Sequence, residues 1–181
     1  FRRAMNPATA SGAADLLLPR HSLGALLPEP AGRWLVQAGA SLRMARRVQA
    51  LTPDAGGWRV DGEGFDRVVL ATPALEAARL CEPIDATWAA TARAMRYEPI
   101  VTVYLRCEGT RLPFPMVALQ DGADAPAQFV FDRGRLGGHA GLLAFVVSGA
   151  QAWVDRGSEA TLNATMAQAR RALGACLGGP L

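Results

Sequence analysis

Phe65-Asp66-Arg67-Val68-Val69-Leu70-Ala71-Thr72-Pro73 contains a continuous apolar run, Val68 to Ala71, closed by Thr72-Pro73. A strand with one wet face alternates apolar and polar residues. An unbroken run predicts a strand covered on both faces, as in a parallel sheet. Proline stops that strand, and Ala74 to Leu80 reads as a helix. Upstream, Leu42, Met44, Val48, Ala50, Trp58 and Val60 alternate with polar residues, the pattern of half-buried strands. Thr52-Pro53-Asp54-Ala55-Gly56-Gly57 is a turn cluster between two such runs, so a hairpin is expected. Asp61-Gly62-Glu63-Gly64 is a second break before the apolar run.

Outward from this centre the pattern changes. Phe1 to Asp15 reads as the end of a helix and a loop, and Leu16-Leu17-Leu18 is stopped by Pro19. Ser22 suits the cap of a short turn through Leu27, with a break at Pro28. Pro30 suits the first position of a helix that runs to Gln37 and stops at Gly39. On the other side, Asp85 is placed to cap a helix through Ala94. Ile100 to Arg106 has the β-branched and aromatic character of a strand. Met116–Gln120, Gln128–Asp132 and Leu142–Ser148 are further strand candidates, separated by loops rich in Gly and Pro. Gly137 to Gly141 reads as a hairpin loop. After Gly157, Leu162, Met166, Ala169 and Leu173 repeat at helical spacing, with Ser158 as the expected cap. The expected class is α+β: an antiparallel sheet backed by helices, plus a hairpin and one buried strand that do not make a complete doubly wound domain.

Composition narrows the functions. Half of the 181 residues are hydrophobic and 19% are charged, enough to bury a sizeable core. All 19 basic residues are Arg, yet only Arg2–Arg3, Arg46–Arg47 and Arg170–Arg171 are adjacent, and no aromatic platform lies among them. That scatter points away from nucleic acid. Cys81, Cys107 and Cys176 are odd in number, far apart and outside any ligand spacing, so no disulfide framework or zinc site is expected. They fit a reducing, cytoplasmic setting. No apolar run is long enough to span a bilayer.

Groups able to carry chemistry are few. His21 and His139 are the only imidazoles, each beside a Gly- or Pro-rich stretch, where a solvated loop histidine is the simpler reading. Ser22 and Ser148 have no neighbouring His or acid, and no nucleophile elbow or P-loop is present. A protein whose chemistry belongs to a bound cofactor has this appearance.

Two stretches carry a resemblance. Leu42 to Leu51, Gly57-Trp58-Arg59-Val60 and Phe65 to Pro73 together resemble the middle of the flavin-dependent amine oxidases and desaturases. Asp15 to Arg20, Tyr97 to Leu105, Leu112-Pro113-Phe114-Pro115-Met116 and Phe129 to Gly134, in that order, resemble the squalene-associated FAD-dependent desaturases, or hydroxysqualene dehydroxylases, of hopanoid synthesis. The resemblance implies an internal piece of a longer enzyme. Residues 41–80 would be a segment of an FAD-binding domain, residues 1–40 a helical part of the substrate domain, and 81–181 its sheet and helices. It implies FAD near Val48 and near Ala71, Thr72 and Pro73. It also implies an apolar isoprenoid substrate in a tunnel, with Val103, Leu105, Val130 and Phe145 as lining and Tyr104 meeting the hydroxyl. The family's G-x-G-x-x-G turn, whose helix N-terminus binds pyrophosphate, is absent from this sequence. FAD is therefore expected in the longer protein and not in these 181 residues alone. Peripheral membrane contact suits a squalene-handling enzyme, although no basic amphipathic helix here argues for it. A carotenoid-type desaturase or another amine-oxidase relative, and a non-catalytic module for an apolar ligand or a partner protein, are the alternatives.

Overall fold

The computed structural model describes residues 16–180. Phe1 to Asp15, with the helix end and loop expected there and the first residue of the Asp15–Arg20 motif, lie outside them. In chain order the elements are α1 (Leu23–Leu26), α2 (Pro28–Gln37), β1 (Leu51–Asp54), β2 (Gly57–Val60), β3 (Glu63–Phe65), α3 (Ala74–Cys81), α4 (Ala86–Arg93), β4 (Val101–Arg106), β5 (Met116–Ala118), β6 (Phe129–Asp132), β7 (Leu142–Val147), α5 (Gln151–Arg156) and α6 (Ser158–Leu173). The class is α+β, with two separate antiparallel sheets. The chain divides into two units: residues up to Gln37 together with those from Glu98 onward, and Ala38–Tyr97.

The first unit is built on a four-stranded sheet of order β4-β7-β6-β5. Strand alternation sorts its side chains cleanly. Val103, Leu105, Val130, Leu143, Phe145 and Val147 face inward and are buried with Ala169 and Leu173 of α6. Burying each of the larger of these contributes about 2–3 kcal/mol. The loop between β6 and β7 is a hairpin connection, as its glycines suggested. Gly141 there has φ +71°, and a Cβ would lie 2.5 Å from the Cys107 carbonyl oxygen, so only glycine fits.

Helix α6 departs from the apolar pattern expected of it. Its buried side is Thr161, Thr165, Gln168, Ala169 and Leu173, while Leu162 is exposed. Polar residues can sit there because each has a partner. Thr161 donates to the Gly157 carbonyl (2.9 Å) and Thr165 to that of Thr161 (2.7 Å). Gln168 behaves like a strand partner for Ala127: its Oε1 accepts from Ala127 N (2.9 Å) and its Nε2 donates to Ala127 O (2.8 Å) and Gln120 O (3.0 Å). One amide thus satisfies a buried stretch of loop that no ladder reaches. Ser158 does not cap the helix. Gly157, at φ +90°, occupies the cap position without a side-chain bond, and Ser158 is the first helical residue.

At the N-terminal side Ser22 caps α1, accepting from Ala25 N at 3.2 Å. Pro28 begins α2 instead of breaking the chain, and Pro30 sits in the same first turn. N–H groups of a first turn have no intrahelical acceptor, so neither proline removes a bond.

The second unit is a meander, β1-β2-β3, with α3 and α4 packed through Ala78, Ala89 and Ala92. Thr52-Pro53-Asp54 belongs to β1 and not to the turn, which is only Ala55-Gly56. Pro53 is tolerated because β1 is an edge strand. Asp85 caps α4 by accepting from Trp88 N (2.9 Å). The packing of α4 on α3 places the unit's end at Tyr97, not at residue 80. The largest difference lies at Val68–Ala71, which forms no strand. Residues 67–71 make no backbone hydrogen bond among the described residues, and Val69 is 89% exposed. A strand of a parallel sheet requires neighbours to hydrogen-bond, and none lies beside this run among the described residues.

Replacing Gln168 by Leu leaves the Ala127 N–H and C=O buried without partners. The expected cost is about 3 kcal/mol, read as a lower urea midpoint at unchanged slope. A loss under about 1 kcal/mol would show that the loop rehydrates freely.

Candidate functional site

In the second unit the turn joining β2 and β3 positions a carboxylate. Asp61 and Gly62 have φ +50° and +87°, the two left-handed residues of a tight hairpin turn. Asp tolerates that region better than most side chains. Asp61 Oδ1 accepts from the N–H groups of both Gln49 and Ala50, each at 2.9 Å. Its own N–H donates to Ala50 O at 3.0 Å. From the other side Arg79 of α3 donates to Val48 O (2.6 Å) and Gln49 O (3.0 Å), and its Nε bonds Glu76 at 3.1 Å. Arg47 also pairs with Glu76.

These elements border an open cavity of about 740 Å³. Its lining includes the apolar side chains of Val48, Val60, Val68 and Leu70, together with Thr72 and Pro73 and the cations Arg46, Arg47 and Arg79. Of the residues expected near a cofactor, Val48, Thr72 and Pro73 share this cavity. Ala71 lies in the same segment but is exposed and outside the lining. A second cavity of about 310 Å³, with Arg43, Asp61 and Glu63, shares Arg46, Val48 and Val60 with the first. Arg46 makes no ion pair among the described residues, whereas Arg47 and Arg79 are taken up by Glu76. The cavity as a whole offers apolar surface, one guanidinium without an ion pair among the described residues, and the free main chain of residues 68–70. That combination suits a ligand with a flat apolar ring and an anionic group.

In the first unit the five residues expected to meet a substrate part company. Val103, Leu105, Val130 and Phe145 are at most 9% exposed and are core side chains beneath α6. Tyr104 alone lies on the opposite face, 60% exposed. Neighbours in a strand point to opposite sides, so Val103 and Leu105 cannot share a surface with Tyr104. The register puts Tyr104, Ala144, Phe131 and Met116 in one row across all four strands, with Val146 and Phe129 in the next. This outer face is apolar but for the hydroxyls of Tyr104 and Thr102 and the Arg106 side chain. Period-two reading of β4 alone would have separated Tyr104 from Val103 and Leu105, but it carries no information about which residues of other strands share its row. Nothing local could have paired Arg79 with residues 30 positions away.

The remaining candidates are ordinary. His21, His139 and Ser148 are exposed. The three cysteines are free, and no three His, Cys, Asp or Glu groups gather as a metal site among the described residues. No helix among the described residues is long and apolar enough to cross a membrane. Comparison with models of known protein families finds no match to this chain.

Several carboxylates of the second unit are held below the ordinary range. For Asp61 the N–H of Ala50 is the largest cause, then that of Gln49. For Glu76 it is the hydrogen bond from Arg47, then Arg79. A carboxyl with a folded pKa below its unfolded value stabilises fully above the unfolded value, about 4, and loses that contribution as pH falls through the folded one. Amide protection at Gln49 and Ala50, corrected for intrinsic exchange, should therefore be level from about pH 7 to 5 and decline below about pH 4. Loss already near pH 6, where no carboxylate of ordinary or lowered pKa titrates, would contradict this account.

Proposed function

We propose that these 181 residues are an internal part of an FAD-dependent oxidoreductase acting on an apolar isoprenoid, with reductive dehydroxylation of hydroxysqualene to squalene as the reaction. The observation that carries the reading is the cavity of the second unit. Val48, Thr72 and Pro73, chosen from the resemblance alone, line one space together with an apolar segment that has no hydrogen-bonded neighbour among the described residues. Such a segment is what remains of a nucleotide-binding sheet when its adjoining strands come from elsewhere in the polypeptide.

The residues present suit the adenosine part of FAD and not the whole cofactor. Val48 and Leu70 offer apolar contact for a ring. The Val48 carbonyl is occupied by Arg79, so its N–H and side chain are what it has left for a ligand. Arg46 offers a cation. The dinucleotide-binding turn belongs, on this reading, to chain outside these residues. When bound, reduced FAD supplies a hydride. The C–O bond of the allylic alcohol gives way to a C–H bond, and the hydroxyl leaves with a proton as water.

A triterpene alcohol has one polar group and a long hydrocarbon, so its site must be apolar with a single well-placed partner. The outer row of the four-stranded sheet offers that pattern: Phe131 and Met116 for the hydrocarbon, and Tyr104 Oη for the hydroxyl. This row replaces Val103, Leu105, Val130 and Phe145 as the proposed lining, because those four are committed to the core. A carotenoid-type desaturase would use the same face for a substrate without the hydroxyl, and Tyr104 is the residue that favours the alcohol.

The intact gene product should reduce hydroxysqualene and leave phytoene untouched. Activity on phytoene alone selects the desaturase. Tyr104→Phe should lower turnover about tenfold, the loss of one hydrogen bond at about 1.4 kcal/mol; unchanged turnover removes that role. The 181-residue chain by itself should purify colourless, whereas a bound flavin spectrum would contradict the division of the cofactor site. A gene that encodes no G-x-G-x-x-G strand-turn-helix ahead of this chain would overturn the flavoenzyme and leave an apolar-ligand module.

A further inference from the structure

Residues 46–50 belong to no strand or helix, yet their main chain is closely held. Asp61 takes the N–H groups of Gln49 and Ala50, and Arg79 takes the carbonyls of Val48 and Gln49. The Ala50 carbonyl is held by Asp61 N, and that of Arg47 by the Gln49 side chain (3.2 Å). Two opposite charges, one on a hairpin turn and one on α3, therefore do what a neighbouring strand would do. A ladder would occupy one whole edge of the segment. Side chains reach in at single points and leave the rest open. The Val48 N–H remains without a partner among the described residues, in the wall shared by both cavities. Arg46, beside it, is without an ion pair among the described residues.

We propose that Asp61 and Arg79 are positioning residues. They brace residues 47–50 in a ligand-ready conformation, so that Val48 and Arg46 meet the base and the anionic group of a purine nucleotide without reorganising. The inference rests on the reading that this cavity takes the adenosine part of FAD, and it adds which side chains make that surface. Preorganisation matters because a loose segment must be ordered on binding, and that cost subtracts from affinity. Charged groups suit the task, since hydrogen bonds with an ionised partner are shorter and stronger than neutral ones. Alignment matters too: Arg presents its donors in a planar fork that spans two successive carbonyls, which a lysine ammonium cannot reproduce.

The test uses the 181-residue chain, with AMP as the probe and amide NMR as the readout. In the unaltered chain AMP should shift the amides of residues 46–48 and 68–72, with a dissociation constant in the millimolar range for so open a site. Arg79→Met and Asp61→Gly should each raise amide exchange at Gln49 or Ala50 at least tenfold and weaken AMP at least fivefold. Glycine is chosen at 61 because it keeps the left-handed turn while removing the carboxylate. Arg79→Lys should fall between, and Asp61→Asn, which keeps an acceptor oxygen and tolerates that φ, should restore most of both. Retained protection of the Leu51–Val60 ladder shows that the unit stays folded. Faster exchange with unchanged AMP affinity would reduce the brace to a structural feature and overturn the proposal while leaving the cavity's reading intact. Unchanged exchange would overturn the brace outright. Absence of any AMP shift in the unaltered chain would remove the nucleotide reading and the proposal with it.

Discussion

A peptide group taken out of water needs a hydrogen-bond partner, and an apolar chain offers few besides its own backbone. The two units of this protein meet that demand by different means, and the difference decides what each can do. In the first unit four strands pair in an unbroken antiparallel sheet, and the one buried loop stretch out of their reach is served by the amide of Gln168. The result is a closed core beneath α6 and a single free face. In the second unit only three short strands pair, and the chain on either side of them is held by Asp61 and Arg79 or, at residues 67–71, by nothing among the described residues. Open main chain is what a binding site requires and what a stable core avoids.

The charges of the second unit follow from this. Arg43 with Glu63, Arg47 and Arg79 with Glu76, and Arg93 with Glu82 are pairs at or near the surface. Exposed pairs of this kind contribute little to stability one by one. Their effect here is geometric: Glu76 orients Arg79, and Arg79 orients the carbonyls of residues 48 and 49. Arg46 lines the cavity and makes no ion pair among the described residues. Buried carboxylate Asp132 in the first unit is used differently. It accepts from Leu112 N (3.0 Å) and Arg135 N (3.1 Å), tying two loops together.

Most elements were legible because each had a local physical signature. Ser22 and Asp85 are capping side chains followed by helical residues, and both cap. The strands at Val101–Arg106 and Leu142–Val147 carry β-branched and aromatic residues between glycine- and proline-bearing loops. The site was legible only in part. Val48, Thr72 and Pro73 do line one cavity, but the substrate-facing assignment mixed two faces of one sheet. Val103 and Leu105 alternate with Tyr104, and that alternation alone forbids a common surface. The stripe on α6 was misplaced for a complementary reason: apolar spacing favoured Leu162, while hydrogen bonds let Thr161, Thr165 and Gln168 enter the core.

By itself the sequence determined the α+β class and the place of most helices and strands, since these depend on composition and on residues a few positions apart. Tertiary structure decided which face of the four-stranded sheet is covered, where the second unit ends, and that Val68–Ala71 is an open segment instead of a strand. It also decided that Asp61 and Arg79 converge on residues 48–50. Those outcomes depend on partners 11 to 31 residues away or on the presence of a neighbouring strand. Local periodicity carries no information about which distant group will fill a hydrogen bond.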